Sequence, residues 1–353
     1  MHPLIDFFYR SSPVFIQNSL VSLYGFHLYL RRYGSHYREH RDFLAHSQWF
    51  SESALARFQA EGLRAVLEHA YRNVPFYRDA FHARGITPDD IRTANDLALL
   101  PITEKEAIRK NPGLFISREF DRRRLIPIHT SGTTGTPMTF YFTREAIQRN
   151  YAFFARFLEG AGVRIGERSA TFAGRVFLPQ GRGNPPFWRS NWKMRNILFS
   201  SYHISERTLP SYIARLEELD PVFIDSYPSA VHTIARFIKD KGVRHGIAPR
   251  AIVTSSETLF EHQREVIEEA FRCRVHDQYG NAEMAAFISQ CEKGTYHVNP
   301  EYGIVEVLGR DGEPKFDEPG ELVCTGFLNH AMPLIRYRTG DSAVLSRGSC
   351  ACG

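Results

Sequence analysis

Eight consecutive residues, Thr130, Ser131, Gly132, Thr133, Thr134, Gly135, Thr136 and Pro137, place five hydroxyls and two glycines on one short stretch. Glycine lets backbone N–H groups approach an anion and the hydroxyls add further donors, which is the chemistry of a triphosphate cradle. A Walker A loop is excluded, because Gly135 is followed by Thr136-Pro137 where that loop needs Lys and then Ser or Thr; kinase and GTPase readings weaken with it. A run of this kind also makes an ordinary polar turn, so its company along the chain decides. The other reactive set pairs Cys291 with His297, a Cys-x5-His spacing, and Cys350 with Cys352, a Cys-x-Cys spacing. Three thiolates and one imidazole suit a closed, tetrahedral, structural zinc site that leaves no open position for catalysis. The spacing is no zinc-finger signature, and unlinked thiols are the alternative.

The elements that must position these residues follow from periodicity. Leu55, Phe58, Leu63, Val66, Leu67 and Ala70 recur at helical spacing after the capping candidates Ser51 and Ser53, predicting helix from 51 towards 80, broken at Val74-Pro75. A short helix starts near Thr103, with Glu104 and Glu106 at its positive end. From Leu125 onward short apolar runs at 222–225, 251–254 and 274–278 alternate with helices at 144–160 and 262–271, the pattern of an α/β arrangement with largely parallel strands. After Tyr296 the pattern turns hairpin-like, with strands at 303–308 and 320–325 around the turn Gly309-Arg310-Asp311-Gly312. The expected organisation is a helical part at 1–124, an α/β core binding nucleotide and acyl group at 125–290, and a β-rich part carrying the zinc set at 291–353.

Composition narrows the classes. The 353 residues are 43% hydrophobic and 24% charged, ample for a folded core. A net charge of +5 is spread along the chain, apart from Arg122-Arg123-Arg124, so no nucleic-acid partner is indicated. The apolar stretch 14–30 contains Gln17, Asn18 and His27 and ends at Arg31-Arg32. It is too short and polar for a membrane span, lacks the marks of a signal peptide, and reads as a surface helix rather than a membrane-surface anchor. Cytoplasmic residence follows as an expectation. Five cysteines make no disulfide framework; Cys273 and Cys324 sit in strand-like apolar surroundings and read as core.

Three separated motifs occur in one order: the loop 130–137, then Gln278-Tyr279-Gly280-Asn281-Ala282-Glu283, then Tyr337-Arg338-Thr339-Gly340-Asp341. Together they resemble the adenylate-forming superfamily of acyl-CoA synthetases. Within it the chain is most similar to the phenylacetate–CoA ligase and CapK-like group, through Val74-Pro75-Phe76-Tyr77, Leu100-Pro101-Ile102-Thr103-Glu104, Tyr227-Pro228-Ser229, Ser255-Ser256-Glu257 and Met332-Pro333-Leu334-Ile335-Arg336-Tyr337.

The resemblance implies a body of mixed and parallel sheets flanked by helices, with a smaller β-rich part. It implies ATP and AMP as nucleotide, with magnesium held by Glu283, a hard oxygen ligand suited to that ion. Tyr279 would lie against the adenine, Asp341 would take hydrogen bonds from the ribose hydroxyls, and Gly280, Asn281, Ser256 and Glu257 would join the nucleotide-binding set. Arg338 would orient the nucleotide or pair with a carboxylate. Thr133 and Thr134 would serve catalysis from the phosphate loop. The implied reaction is attack of a carboxylate on the α-phosphorus of ATP, then transfer of the acyl group to CoA, with an aromatic acid as the substrate class that the phenylacetate ligases suggest. An amine, a hydroxyl or a carrier-protein thiol is the alternative acceptor, and a non-catalytic nucleotide-binding relative the alternative class. Related enzymes carry a further C-terminal domain after the third motif that swings to complete catalysis. This sequence stops at Gly353, so the expectation is a body without that lid, binding ATP better than it turns over. A homodimer is a further expectation from relatives.

Overall fold

The computed structural model describes residues 3–130, 138–179 and 181–352, with no side-chain description for residues 3–6. Its first elements are helical: α1 (Pro3–Ser11), α2 (Val14–Arg32), α3 (Ser35–Ser47), α4 (Glu52–Asn73), α5 (Pro75–Arg84) and α6 (Lys105–Lys110). The strands β1 (Ile126–His129) and β2 (Thr139–Phe142) follow, then α7 (Arg144–Gly160), β3 (Ser169–Ala173), β4 (Trp188–Asn191) and β5 (Asn196–Ser200). Next come α8 (Leu209–Leu219), β6 (Phe223–Ser226), α9 (Pro228–Lys241), β7 (Ala251–Ser255), α10 (Glu261–Phe271) and β8 (Arg274–Gly280). The chain closes with β9 (Phe287–Gln290), β10 (Tyr296–Val298), β11 (Gly303–Leu308), β12 (Pro319–Gly326) and β13 (Tyr337–Val344). The expected mixed α/β class is what the structure has: an eight-stranded sheet ordered β10-β9-β8-β7-β6-β3-β5-β4, and a smaller three-stranded antiparallel sheet, β11-β12-β13.

The residues group into two units. One comprises Met1–Arg31, Ala155–Gln278 and Gln290–Gly294. Its strands β5, β3, β6, β7 and β8 pair in parallel, and β4 closes the edge antiparallel to β5. Parallel strands need crossovers, and α9 and α10 provide them between β6, β7 and β8. Ile224, Ile252 and Val275 from the strands pack with Leu216, Ile234 and Ile267 from α8, α9 and α10. Phe172 stacks on Phe199 at 4.7 Å and Phe187 on Tyr212 at 5.7 Å. Each such buried ring contributes about 2 kcal/mol of burial free energy.

The other unit comprises Arg32–Phe154, Tyr279–Ser289 and Thr295–Gly353. Ser51 caps α4, its hydroxyl accepting from the Ala54 N–H at 3.3 Å. Val74 ends α4 in an extended conformation, as a residue before proline must, and Pro75 opens α5 at its first position, where a missing N–H costs nothing. The helix expected from 51 to 80 is therefore two helices. Leu63, Val66, Leu67 and Ala70 of α4 pack with Phe140 and Phe142 of β2 and with Ile304, Leu322, Cys324 and Tyr337 of the small sheet. Cys324 is buried there as expected, and burial holds its thiol well above the usual range; Cys273, in the first unit, is half-buried, its thiol pushed up to about 12 by burial.

Candidate active site

The second and third motifs meet in the second unit. Tyr279 and Gly280 end β8, and Glu283 follows on the turn after it. Asp341 lies on β13, opposite β12. The register between these strands shifts, so that residues 339–341 stand opposite Leu322 alone. Gly340 takes φ 78° at this bulge, a conformation that glycine adopts without strain. Thr339 Oγ1 donates to Leu322 O at 3.0 Å and accepts from the Asp341 N–H at 3.2 Å, fixing the bulge. Its result is direct contact between the two motifs: Tyr279 Oη donates to Asp341 Oδ2 at 2.7 Å. Burial first, and then the acceptor Asp341, raise the Tyr279 hydroxyl above its ordinary range, so it stays a donor at any physiological pH.

Glu283 is 7% exposed and accepts at Oε1 from Tyr337 Oη at 2.9 Å. Among the described residues it forms no ion pair, so its partner is a neutral phenol whose own pKa is raised by burial and by that carboxylate. Asn281 turns its Oδ1 to the Ala285 N–H at 2.9 Å, while its buried Nδ2 has no hydrogen-bond partner among the described residues. Met284 takes φ 52° beside them, and such strain in a non-glycine residue concentrates at functional sites. Arg338 lies 3.3 Å from a Glu104 oxygen and 3.0 Å from a Glu321 oxygen, the carboxylate pairing considered for it.

Behind these groups the segment 101–104 holds the third motif in place. The Thr103 N–H donates to Arg336 O at 2.8 Å, the Arg338 N–H to Thr103 O at 3.1 Å, and Thr103 Oγ1 to Ile335 O at 2.7 Å. The guanidinium of Arg336 grips Glu306 through Nε at 3.2 Å and Nη2 at 3.0 Å and donates from Nη1 to Leu100 O at 2.9 Å. Arg336 itself takes φ 47°. Sequence reasoning did not find Glu306 or the role of Tyr337; the available signal was a lone acid inside the apolar strand Gly303–Leu308, which a buried sheet tolerates only with a cation nearby.

Of the phosphate loop, Thr130 is described: its N–H donates to Met138 O at 3.0 Å and its Oγ1 accepts from the Met138 N–H at 3.1 Å, closing the base of the loop. Ser131, Gly132, Thr133, Thr134, Gly135 and Thr136 lie outside the described residues. Ser256 and Glu257 belong to the first unit, directly after β7; Ser256 takes φ 71°, and Glu257 accepts from the Ser229 N–H and Oγ, both at 3.0 Å, in the first turn of α9. His203 is engaged at both ring nitrogens, by Ser200 Oγ at 2.7 Å and Pro179 O at 3.0 Å, a structural role.

Of the sulfur and imidazole set, His297, Cys350 and Cys352 belong to the second unit and Cys291 to the segment Gln290–Gly294 of the first, and all four are half-buried. Cys291 and His297 flank the turn between β9 and β10, where the Lys293 N–H donates to Cys291 Sγ at 3.3 Å. Cys352 Sγ lies 3.4 Å from His297 Nε2. A hydrogen bond from Thr295, then others from Cys352 and His297, draw the Cys350 thiol down to about 6.

No family model matches the chain. The protein CapK of Staphylococcus aureus is 31% identical over 342 residues, which is 97% of this chain and 73% of that protein. The chain belongs to the CapK-like group of the adenylate-forming superfamily. Beside CapK, the phenylacetate–coenzyme A ligase of Pseudomonas putida is 28% identical over 312 residues, 85% of this chain and 68% of the relative. The Thermus thermophilus enzyme of the same name is 27% identical over 309 residues, 85% and 67% of the two chains. A solved structure of 2-hydroxyisobutyryl-CoA ligase, in complex with 2-HIB-AMP and CoA, superposes with TM-score 0.68 at 19% identity over 86% of this chain and 66% of that one. At that identity the likeness speaks to the fold. As a CapK-like chain the molecule joins Tyr279 to Asp341 and Tyr337 to Glu283 within its second unit. Among the described residues no helix is long and apolar enough to cross a membrane.

Proposed function

We propose that this chain activates a carboxylic acid with ATP, forming an acyl-adenylate and pyrophosphate, and that the acyl group then passes to the thiol of CoA with release of AMP. A carboxylate oxygen attacks the α-phosphorus, the bond from that phosphorus to the pyrophosphate oxygen breaks, and the thiol later displaces AMP from the acyl carbon. The observation that carries this reading is the hydrogen-bonded junction of two motifs in one unit, Tyr279 to Asp341 and Tyr337 to Glu283. Tyr279 holds one oxygen of Asp341, orienting the carboxylate for the ribose hydroxyls. Glu283 is a buried carboxylate whose partner among the described residues is a neutral donor, which fits an oxygen ligand for the magnesium that accompanies ATP. The Asn281 amide, without a partner among the described residues, is a donor within the same set. None of these groups needs to be a nucleophile; they lower the barrier by positioning and charge neutralisation. An aromatic acid is the first substrate class to try, because the phenylacetate ligases are among the chain's relatives.

The test is calorimetric titration of ATP with magnesium into the chain, beside Asp341→Ala and the double change Thr133→Ala/Thr134→Ala. One site in the parent, lost in both variants, is expected; a folded parent that binds no nucleotide overturns the reading.

We also infer that Cys291, His297, Cys350 and Cys352 hold a structural zinc ion. Three thiols and one imidazole match a closed tetrahedral donor set; within the second unit Cys352 Sγ already lies 3.4 Å from His297 Nε2, and a backbone N–H donates to Cys291 Sγ. Metal analysis of the purified protein is expected to give one zinc per chain, lost in Cys350→Ser/Cys352→Ser together with part of the thermal stability; a metal-free parent of undiminished stability overturns it.

A further inference from the structure

The N-terminal helices invert the usual amphipathic arrangement. In α2 the polar residues face inward and bond the sheet-edge strand β4: Gln17 is buried, Asn18 Oδ1 accepts from the Ser190 N–H at 3.0 Å, and Ser22 Oγ accepts from the Trp192 N–H at 3.0 Å and donates to Ser190 O at 3.3 Å. Arg189 on β4 is fully buried beneath them, and its Nε donates to Gln17 Oε1 at 2.5 Å. Gly25 makes the close approach possible, since a Cβ there would meet the Asn191 side chain at 2.2 Å. These contacts satisfy groups that an edge strand would otherwise leave unpaired.

With Gln17, Asn18 and Ser22 engaged by the strand, α2 leaves a stripe of large apolar residues exposed. Phe15, Leu23, Phe26 and Leu30 recur at i, i+8, i+11 and i+15, one side of a helix, and are 68%, 66%, 39% and 55% exposed. Phe7 and Phe8 on α1 are exposed as well, and so is Trp192 on the turn after β4. A monomer in water has no use for so many large exposed apolar side chains on one short segment. The charge around them is mostly positive. Segments 3–31 and 181–195 contain six basic residues against the one acid Asp6, and Arg10, Lys193 and Arg195 are exposed. The Lys193 ammonium lies over the rings of Phe26 and Tyr29 at 5.4 and 5.3 Å, so cation and apolar stripe share one surface.

We propose that α1 and α2 dock on an anionic lipid bilayer, lying in the interface with Phe7, Phe8, Phe15, Leu23, Phe26, Leu30 and Trp192 among the acyl chains and with Arg10, Lys193 and Arg195 at the headgroups. This is how a helix with aromatic and leucine residues on one face, bordered by basic residues, binds a membrane surface without spanning it. A second copy of the chain is the poorer occupant, because a two-fold contact through this patch brings the same cations together. The surface shares no residue with the nucleotide set, so the proposal stands independently of the acid-activation reading.

The experiment is co-sedimentation of the full chain with vesicles of phosphatidylcholine alone and of phosphatidylcholine with phosphatidylglycerol. The parent is expected to partition at least about tenfold more into the anionic vesicles, with salt weakening the binding. Phe15→Gln/Leu23→Gln/Phe26→Gln removes three exposed side chains, so it should keep the parental unfolding midpoint and lose the partitioning; Lys193→Glu should lose most of the preference for anionic lipid. Absence of partitioning in the parent, or equal partitioning by the triple variant, overturns the proposal. So does a concentration-dependent dimer, seen by sedimentation equilibrium, that the triple variant abolishes, since the patch would then belong to a second copy.

Discussion

Glu306 and Glu283 are carboxylates of the same unit, both drawn in from solvent, and the fold treats them in opposite ways. Glu306 meets the guanidinium of Arg336 at two atoms, with side chains 11% and 6% exposed. Glu283, as deeply buried, receives one hydrogen bond from the neutral Tyr337 and no ion pair from any described residue. A buried carboxylate without a cation is expensive, whereas one bonded by a guanidinium fork is a closed account. The first region is therefore framework, holding the segment that carries Tyr337 and Arg338. The second is a buried carboxylate with no cation among the described residues, the group to which the proposed function gives the magnesium.

The largest effect should come from breaking the framework pair. Glu306→Ala leaves Arg336 buried without its carboxylate, which should cost about 3–5 kcal/mol of stability, read from denaturant unfolding. A loss below about 1 kcal/mol would mean that Leu100 O and solvent suffice for the guanidinium, and the contrast with Glu283 would fail.

Glu283→Gln should do the reverse. The amide keeps an oxygen for the Tyr337 hydroxyl, so stability should stay within about 1 kcal/mol of the parent. Affinity for magnesium-ATP should fall roughly 10–100-fold, the scale seen when the surroundings of a metal site are altered. Calorimetry with and without magnesium checks it: an unchanged magnesium dependence would remove Glu283 from the ion.

The contrast was only half legible in the sequence. The helix α7 (Arg144–Gly160) and the strand β11 (Gly303–Leu308) follow from periodicity with their ends in place, because caps and apolar spacing are local. The three motifs showed where the chemistry gathers, and the contact of Tyr279 with Asp341 bears on two of them. What the sequence concealed is pairing over distance. Arg336 finds Glu306 thirty positions away and Tyr337 finds Glu283 fifty-four away, through strand register that no local pattern encodes. The polar face of α2 was concealed for the same reason: nothing near Gln17 and Asn18 announces that they meet β4, so the helix reads as ordinary surface helix until the edge strand is seen.

A smaller effect belongs to the ribose end. Tyr279→Phe removes the donor that fixes Asp341 Oδ2 while keeping the ring. One hydrogen bond of this type is worth about 1 kcal/mol, so ATP affinity should fall about fivefold, against a much larger loss for Asp341→Ala in the same titration. Equal losses would mean that the phenol is as important to the nucleotide as the carboxylate it orients.

The smallest effect is in pH, and it probes the framework carboxylate alone. Burial raises the Glu306 pKa above its ordinary 4.5, and the attraction of Arg336 offsets only part of that rise. A carboxyl whose folded pKa exceeds its unfolded one holds its proton more tightly in the fold, so its contribution is complete below 4.5 and is lost as pH rises through the folded value. Unfolding free energy of the parent should therefore decline across that window relative to Glu306→Gln, which keeps the shape and cannot titrate. The comparison rests on slope, not on absolute stability, because the amide also weakens the grip on Arg336. Urea midpoints at a series of pH values supply that slope. Parallel profiles would mean that the guanidinium fully offsets burial at Glu306, leaving the two carboxylates to differ only in the charge of their partner.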